Sequence, residues 1–187
     1  MEPQPTPPAR LHAHRAGKWE RNVACLLSTP LARVYTQIMI WTVKPAVQKH
    51  VNRIAQRMRQ IDQMECRATG REPKQALRHC LIGSTLAWTV LLDDKPVAMF
   101  GVLPLSIVSG RAAPWFLATD EIERGARQWV KWGAGFVSAM QSDFPRLENI
   151  VSVENRKSIR VLKALGFAVE TEIVILGGVA MVRFSKG

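Results

Sequence analysis

The sequence predicts an α/β fold, a mixed sheet with helices on both faces, and three observations carry that expectation. From Met39 onward, short runs rich in β-branched and aromatic residues alternate with stretches whose apolar residues recur at helical spacing. Asp93-Asp94 separates two apolar runs and marks a hairpin. The segment from Asn155 to Phe167 reads as a complete capped helix. In it Ile159, Leu162 and Leu165 fall three apart with Val161 alongside, and Arg156, Lys157, Arg160 and Lys163 occupy the other faces. Gly166 supplies the left-handed residue that ends the helix, and Phe167 starts the next strand.

Taken in order, residues 40–44 form a first strand, and Pro45 fits the first turn of a helix striped by Val47, Val51, Ile54, Ala55 and Met58. Asp62 and Glu65 precede a break at Gly70. Pro73 begins a second helix, with Ala76, Leu77, Cys80 and Leu81 inward and Gly83 at its end. Residues 86–92 and 96–103 pair around Asp93-Asp94, and residues 113–118 form another strand after the Ser109-Gly110 turn. Thr119 or Asp120 caps a long helix over residues 121–140. Residues 150–153 lead into the capped helix, and residues 172–176 and 179–184 close the sheet around Gly177-Gly178. The predicted order is β-α-α-β-β-β-α-β-α-β-β.

The division into residues 1–38 and 39–187 follows from composition. Pro3, Pro5, Pro7 and Pro8, then Arg10, Arg15, Lys18, Arg21 and Arg33, predict a basic, flexible arm or a packing extension. A start of the protein at Met39, with the preceding residues an extension, is a third reading. Val23 to Leu27 is too short an apolar run, broken by Pro30, to serve as a signal sequence. At 187 residues and 47% hydrophobic, the chain suits one domain with a substantial core. No apolar run approaches the ~20 residues that span a bilayer.

A formal charge of +11 and a pI near 10.3 favour polyanionic partners: nucleic acid, phosphorylated cofactors or anionic membrane. Binding of nucleic acid through the basic arm is one reading, but the chain lacks a zinc-finger pattern or the aromatic interleaving of a single-strand-binding sheet. Cys25, Cys66 and Cys80 suggest no disulfide framework, and His12, His14, His50 and His79 no metal site.

The order strand, Asn155, helix, Leu165-Gly166-Phe167, strand resembles the last crossover of the GNAT acetyltransferase fold, and the whole element order from Met39 matches that fold. Pro114 to Asp120, Leu147 to Asn155 and Ser158 to Gly166, with Arg59, Asp62 and Glu65 upstream, are similar to one branch. That branch is a family of small bacteriophage proteins that includes the internal virion protein of short-tailed coliphages. The resemblance implies a phage origin, a location in host cytoplasm or virion, and one of two roles. The first is N-acetyl transfer from acetyl-CoA to an amine-bearing small molecule or protein. The second is a non-catalytic role in assembly or genome ejection, with other virion proteins or DNA as partners of the basic surface.

For catalysis the resemblance implies a diphosphate cradle, a general acid and a base. At the cradle position stands Thr119-Asp120-Glu121-Ile122-Glu123-Arg124-Gly125-Ala126-Arg127, with a lone glycine and acids where phosphate would sit. Arg124 and Arg127 could offset those acids, but as side chains they cannot reproduce a nest of backbone amides. Gly133-Ala134-Gly135 lies inside a predicted helix, where close packing accounts for it. Leu162 stands where such enzymes often carry a Tyr acid, and Tyr35, in the arm, is the chain's one tyrosine. Asp62, Glu65 and Asp120 are the candidate bases. Against that role, Asp62 and Glu65 suit a helix cap or a bridge to Arg59, and Asp120 suits an N-cap. Trp115, Phe116, Leu117, Arg124 and Asn155 are the candidate cofactor contacts, Asn155 serving equally as the cap of its helix.

Overall fold

The computed structural model describes residues 39–187, which form one compact unit. The predicted arm over residues 1–38, with Tyr35, lies outside the described residues. The sheet has seven strands in the order β1-β2-β3-β4-β5-β7-β6. They are β1 (Trp41–Pro45), β2 (Leu86–Leu92), β3 (Lys95–Ser106), β4 (Arg111–Ala118), β5 (Arg146–Ser152), β6 (Ala168–Leu176) and β7 (Val179–Lys186). The helices are α1 (Gln48–Gln56), α2 (Gln60–Ala68), α3 (Pro73–Gly83), α4 (Ala126–Asp143) and α5 (Arg156–Ala164). A 3-10 turn, Asp120–Gly125, precedes α4. Among the described residues no helix is long and apolar enough to cross a membrane.

Strand alternation divides the core in two. Val51, Ile54, Cys66, Leu77, Met99, Trp115 and Leu117 pack beneath α1, α2 and α3. On the opposite face Phe100, Val137, Met140, Leu147, Phe167 and Phe184 pack with α4, while Phe116, Trp129 and Leu162 lie against them half-buried. Trp129 meets Phe100 edge-on at 4.7 Å and Phe116 at 5.1 Å, and Phe136 stands 4.9 Å from Phe100. This aromatic layer holds α4 to the sheet.

Local signals act as predicted at the hairpin and the last crossover. Asp93 and Asp94 both adopt left-handed φ, 48° and 59°, the backbone a two-residue hairpin requires. Asn155 accepts a bond from the Ser158 N–H at 3.3 Å, and Gly166 takes φ 81° at the end of α5.

Elsewhere the structure corrects the expected boundaries. Pro45 ends β1 opposite Trp88, and Ala46 donates to the Ala87 carbonyl, so α1 begins only at Gln48. The first predicted helix is two, because Met58 bridges Thr119 in an antiparallel pair and Arg59 is extended at φ −52°, ψ 141°. Thr119 caps nothing with its side chain, since its hydroxyl donates to the Val97 carbonyl at 3.1 Å. The predicted long helix therefore opens as a 3-10 turn, with Ile122 N–H bonded to Thr119 O. Of the two glycines inside α4 only Gly133 is a close-packing position: a Cβ there would sit 2.8 Å from Leu165, whereas Gly135 faces open space.

Gly101, midway along β3, tests the packing. A Cβ added there would overlap the Leu86 carbonyl oxygen and lie 3.0 Å from the Ala87 Cα, both backbone atoms. Gly101→Ala is expected to destabilise the domain by about 1–3 kcal/mol, read as a lower urea midpoint at unchanged slope.

Candidate functional site

The site begins where the sheet stops being continuous. The parallel strands β4 and β5 share a ladder only at Arg111–Arg146 and Ala112–Leu147. Glu148 pins this closed end, since Arg146 and Arg111 both bind its carboxylate and together hold its pKa below the ordinary range. Beyond it the strands part, and each backbone group of β4 on that side needs another partner. The Pro114 carbonyl takes Asn149 Nδ2 at 2.9 Å. At the far end the Ala118 N–H donates to Asp62 Oδ2 at 2.9 Å, and the Ala118 carbonyl accepts from Arg59 N at 2.9 Å. Phe116 stands between Pro114 and Ala118, and alternation aims its N–H and C=O into the same gap.

Helix α2 braces both sides of the opening. Asp62, fully buried, accepts Arg59 Nη2 at 2.7 Å and Nε at 3.0 Å besides the Ala118 amide, and so fixes the end of β4. One turn later Glu65 Oε1 accepts the Ser152 amide at 2.9 Å and Asn155 Nδ2 at 3.1 Å, and so fixes the end of β5. Both bonds fall on Oε1. Burial pushes the Glu65 pKa above its ordinary 4.5, against the pull of the Ser152 and Asn155 donors. Burial likewise raises that of Asp62, opposed by Arg59.

Between the parted strands lies a cavity of about 600 Å³ that reaches both faces of the sheet. Trp115, Phe116 and Leu117 line it from β4, and Ile150 and Val151 from β5. Glu65, Cys66 and Cys80 line it on the α2–α3 side, while Trp129, Phe136, Ser158 and Leu162 line it on the α4–α5 side. Trp115 is held by a bond from its indole N–H to Ser84 Oγ at 2.8 Å. Burial pushes the Cys66 thiol up to about 12 and the Cys80 thiol to about 11, so both are neutral wall groups.

The predicted site residues therefore separate. Glu65, Trp115, Phe116, Leu117 and Asn155 come together at the cavity. Asp62 is sealed behind its ion pair and has no surface for a substrate, which corrects its candidacy as a base. Asp120 and Arg124 are exposed on the 3-10 turn and do not line the cavity, so neither occupies the predicted place. The acids of that turn are largely neutralised: Glu121 pairs with Arg57 at 2.7 Å and Glu123 with Lys157 at 2.6 Å. Gly125 makes room for Trp41, whose ring a Cβ there would meet at 2.6 Å, rather than for a phosphate. Sequence reasoning missed Lys157, Ser158 and Arg160, all at the cavity. Their position just after Asn155, on the helix that enters the cleft, was the available signal.

No family model matches the chain, and no curated protein matches its sequence. Solved structures do match its shape. Spermidine N-acetyltransferase from Vibrio cholerae, in complex with CoA and spermine, is 13% identical with a TM-score of 0.54, over 78% of this chain and 94% of that one. A GNAT superfamily phosphinothricin acetyltransferase from Sinorhizobium meliloti, in complex with AcCoA, is 16% identical with a TM-score of 0.57, over 78% and 87%. AAC(6')-Ib, in complex with ribostamycin and coenzyme A, is 13% identical with a TM-score of 0.56, over 78% and 92%. At these identities the likeness establishes the fold: residues 39–187 adopt the GNAT acyltransferase architecture.

The brace yields a stability prediction. Asp62→Ala leaves the Arg59 guanidinium buried without its partner and is expected to cost about 3–5 kcal/mol in chemical denaturation. The double replacement Arg59→Met, Asp62→Leu should recover much of that loss. A single-variant cost below about 1 kcal/mol would contradict the brace.

Proposed function

We propose that the protein is an N-acyltransferase of the acetyl-CoA-dependent kind, acting in the cleft between β4 and β5. The observation that carries this reading is the interrupted ladder of β4, which leaves the Phe116 N–H and C=O facing a cavity of about 600 Å³. A single open amide position between satisfied neighbours suits an extended, amide-bearing chain such as the pantetheine arm. The diphosphate finds no nest of backbone amides, because a 3-10 turn bearing Asp120, Glu121 and Glu123 stands there. Lys157 and Arg160, on the first turns of α5 at the cavity, are the side chains that would hold it instead. Acetyl-CoA bound there supplies an activated acyl group as a thioester.

Glu65 is the base of this reading. Its Oε1 is occupied by Ser152 and Asn155, and Oε2 has no hydrogen-bond partner among the described residues. Its raised pKa brings it closer to neutral pH, where proton exchange with an ammonium is more effective. The acceptor nitrogen gains the acyl carbon as the carbon–sulfur bond breaks. Of the two protons the ammonium gives up, one goes to Glu65 and the other to the departing sulfur. Ser158, one turn before Leu162 on the same helix face, is the hydroxyl of α5 that lines the cavity and passes that second proton.

The neighbours named above are acetyltransferases and lend nothing to a phage origin. No feature of the described residues favours a role in virion assembly or genome ejection.

Calorimetric titration with acetyl-CoA tests the reading, with saturable binding expected and its absence at high micromolar ligand contradicting it. Lys157→Ala with Arg160→Ala should weaken that binding about tenfold or more. Glu65→Gln should keep acetyl-CoA affinity but lower kcat/KM about 100-fold or more. A base works as carboxylate, so wild-type kcat/KM should fall as pH drops through a value above 4.5, and the variant should lose that limb. Stability should move the other way. A raised folded pKa means Glu65 favours folding most at low pH and loses that contribution as pH rises through the folded value. Glu65→Gln should therefore gain stability relative to wild type between acidic and neutral pH, measured as the difference in Tm.

A further inference from the structure

We propose that the acceptor is a primary monoamine with an apolar body, and not a polyamine; this rests on the acyl-transfer reading above. The α2–α3 side of the cavity is walled by Cys66, Cys80, Trp115, Ile150 and Met181, all apolar or soft. Glu65 is the carboxylate set among them. Its lack of a salt-bridge partner among the described residues leaves one negative charge for one ammonium. The other acids nearby stand off this wall: Asp62 is buried against Arg59, and Glu123 reaches the cavity from the 3-10 turn beside Lys157 of α5.

A second ammonium would find no second carboxylate on this wall, only thiols, a thioether and the face of one indole, which together replace little of its hydration. Arg71 adds repulsion from nearby, bonded at 3.5 Å to the carbonyl of Thr69, a cavity-lining residue. The whole chain carries a formal charge of +11, which disfavours the approach of any polycation. An apolar body gains from the same walls, since Trp115 is fixed by Ser84 and needs no further hydrogen bond.

The test uses the full chain and three probes in separate calorimetric titrations: acetyl-CoA, phenethylamine and spermidine, the amines in the presence of saturating CoA. Thiol release from acetyl-CoA is followed with each amine. Phenethylamine is expected to bind at least tenfold more tightly than spermidine and to be the better acceptor. Glu65→Gln should lose phenethylamine binding by about tenfold while keeping acetyl-CoA affinity. Cys80→Asp, which adds a second carboxylate to the same wall, should shift the preference toward spermidine. Spermidine binding as well as phenethylamine in the wild type, or neither amine binding while acetyl-CoA does, would overturn the monoamine inference and leave the acyl-transfer reading intact. Failure of acetyl-CoA to bind while phenethylamine still binds through Glu65 would remove the transfer reading and keep the amine site.

Discussion

One short helix holds the sheet open. Two carboxylates three residues apart on α2 reach different strands, Asp62 the end of β4 and Glu65 the end of β5. Each accepts a backbone amide that the sheet itself leaves without a strand partner. A buried amide without a partner is costly, so parted strands persist only where something else satisfies their ends. At the closed end the ladder itself pairs the strands, with Glu148 bridging the Arg111 and Arg146 side chains, and in the middle Asn149 donates to the Pro114 carbonyl. Only Phe116 is left facing open space on that side of β4.

The two braces differ chemically, and the difference sorts structure from function. Asp62 is matched by a guanidinium in bidentate contact and shut away from solvent. Glu65 is held by neutral donors on a single oxygen, and burial raises its pKa against their pull. A half-buried carboxylate without a cationic partner works against stability, and it is also what a cleft needs to take a proton from an ammonium. The cost is offset by the dense aromatic packing of Phe100, Phe116, Trp129 and Phe136 on the opposite face.

Much of the fold was legible because its signals are local. The Asn155 cap, the Gly166 stop and the Asp93-Asp94 hairpin each depend on residues a few positions apart. The site was legible only in outline. The spacing of Asp62 and Glu65 marks one helix face, but their partners lie 56 and 87 positions away, a separation no local pattern encodes. The same limit explains Gly125, whose reason for being glycine is the distant ring of Trp41. It also explains the break at Met58, which a bridge to Thr119 imposes on an otherwise helical pattern. Lys157 and Arg160 were visible as the polar side of an amphipathic helix, and only the cavity beside them gives that side a purpose.

Residue-resolved amide hydrogen exchange, with and without acetyl-CoA, tests the central claim most directly. In the free protein the Ala118 and Ser152 amides should already be protected by Asp62 and Glu65, while the Phe116 amide exchanges faster. Saturating acetyl-CoA should slow Phe116 and leave β1 and β2 unchanged. A Phe116 amide as protected as its neighbours before ligand is added, or unmoved after, would contradict the account.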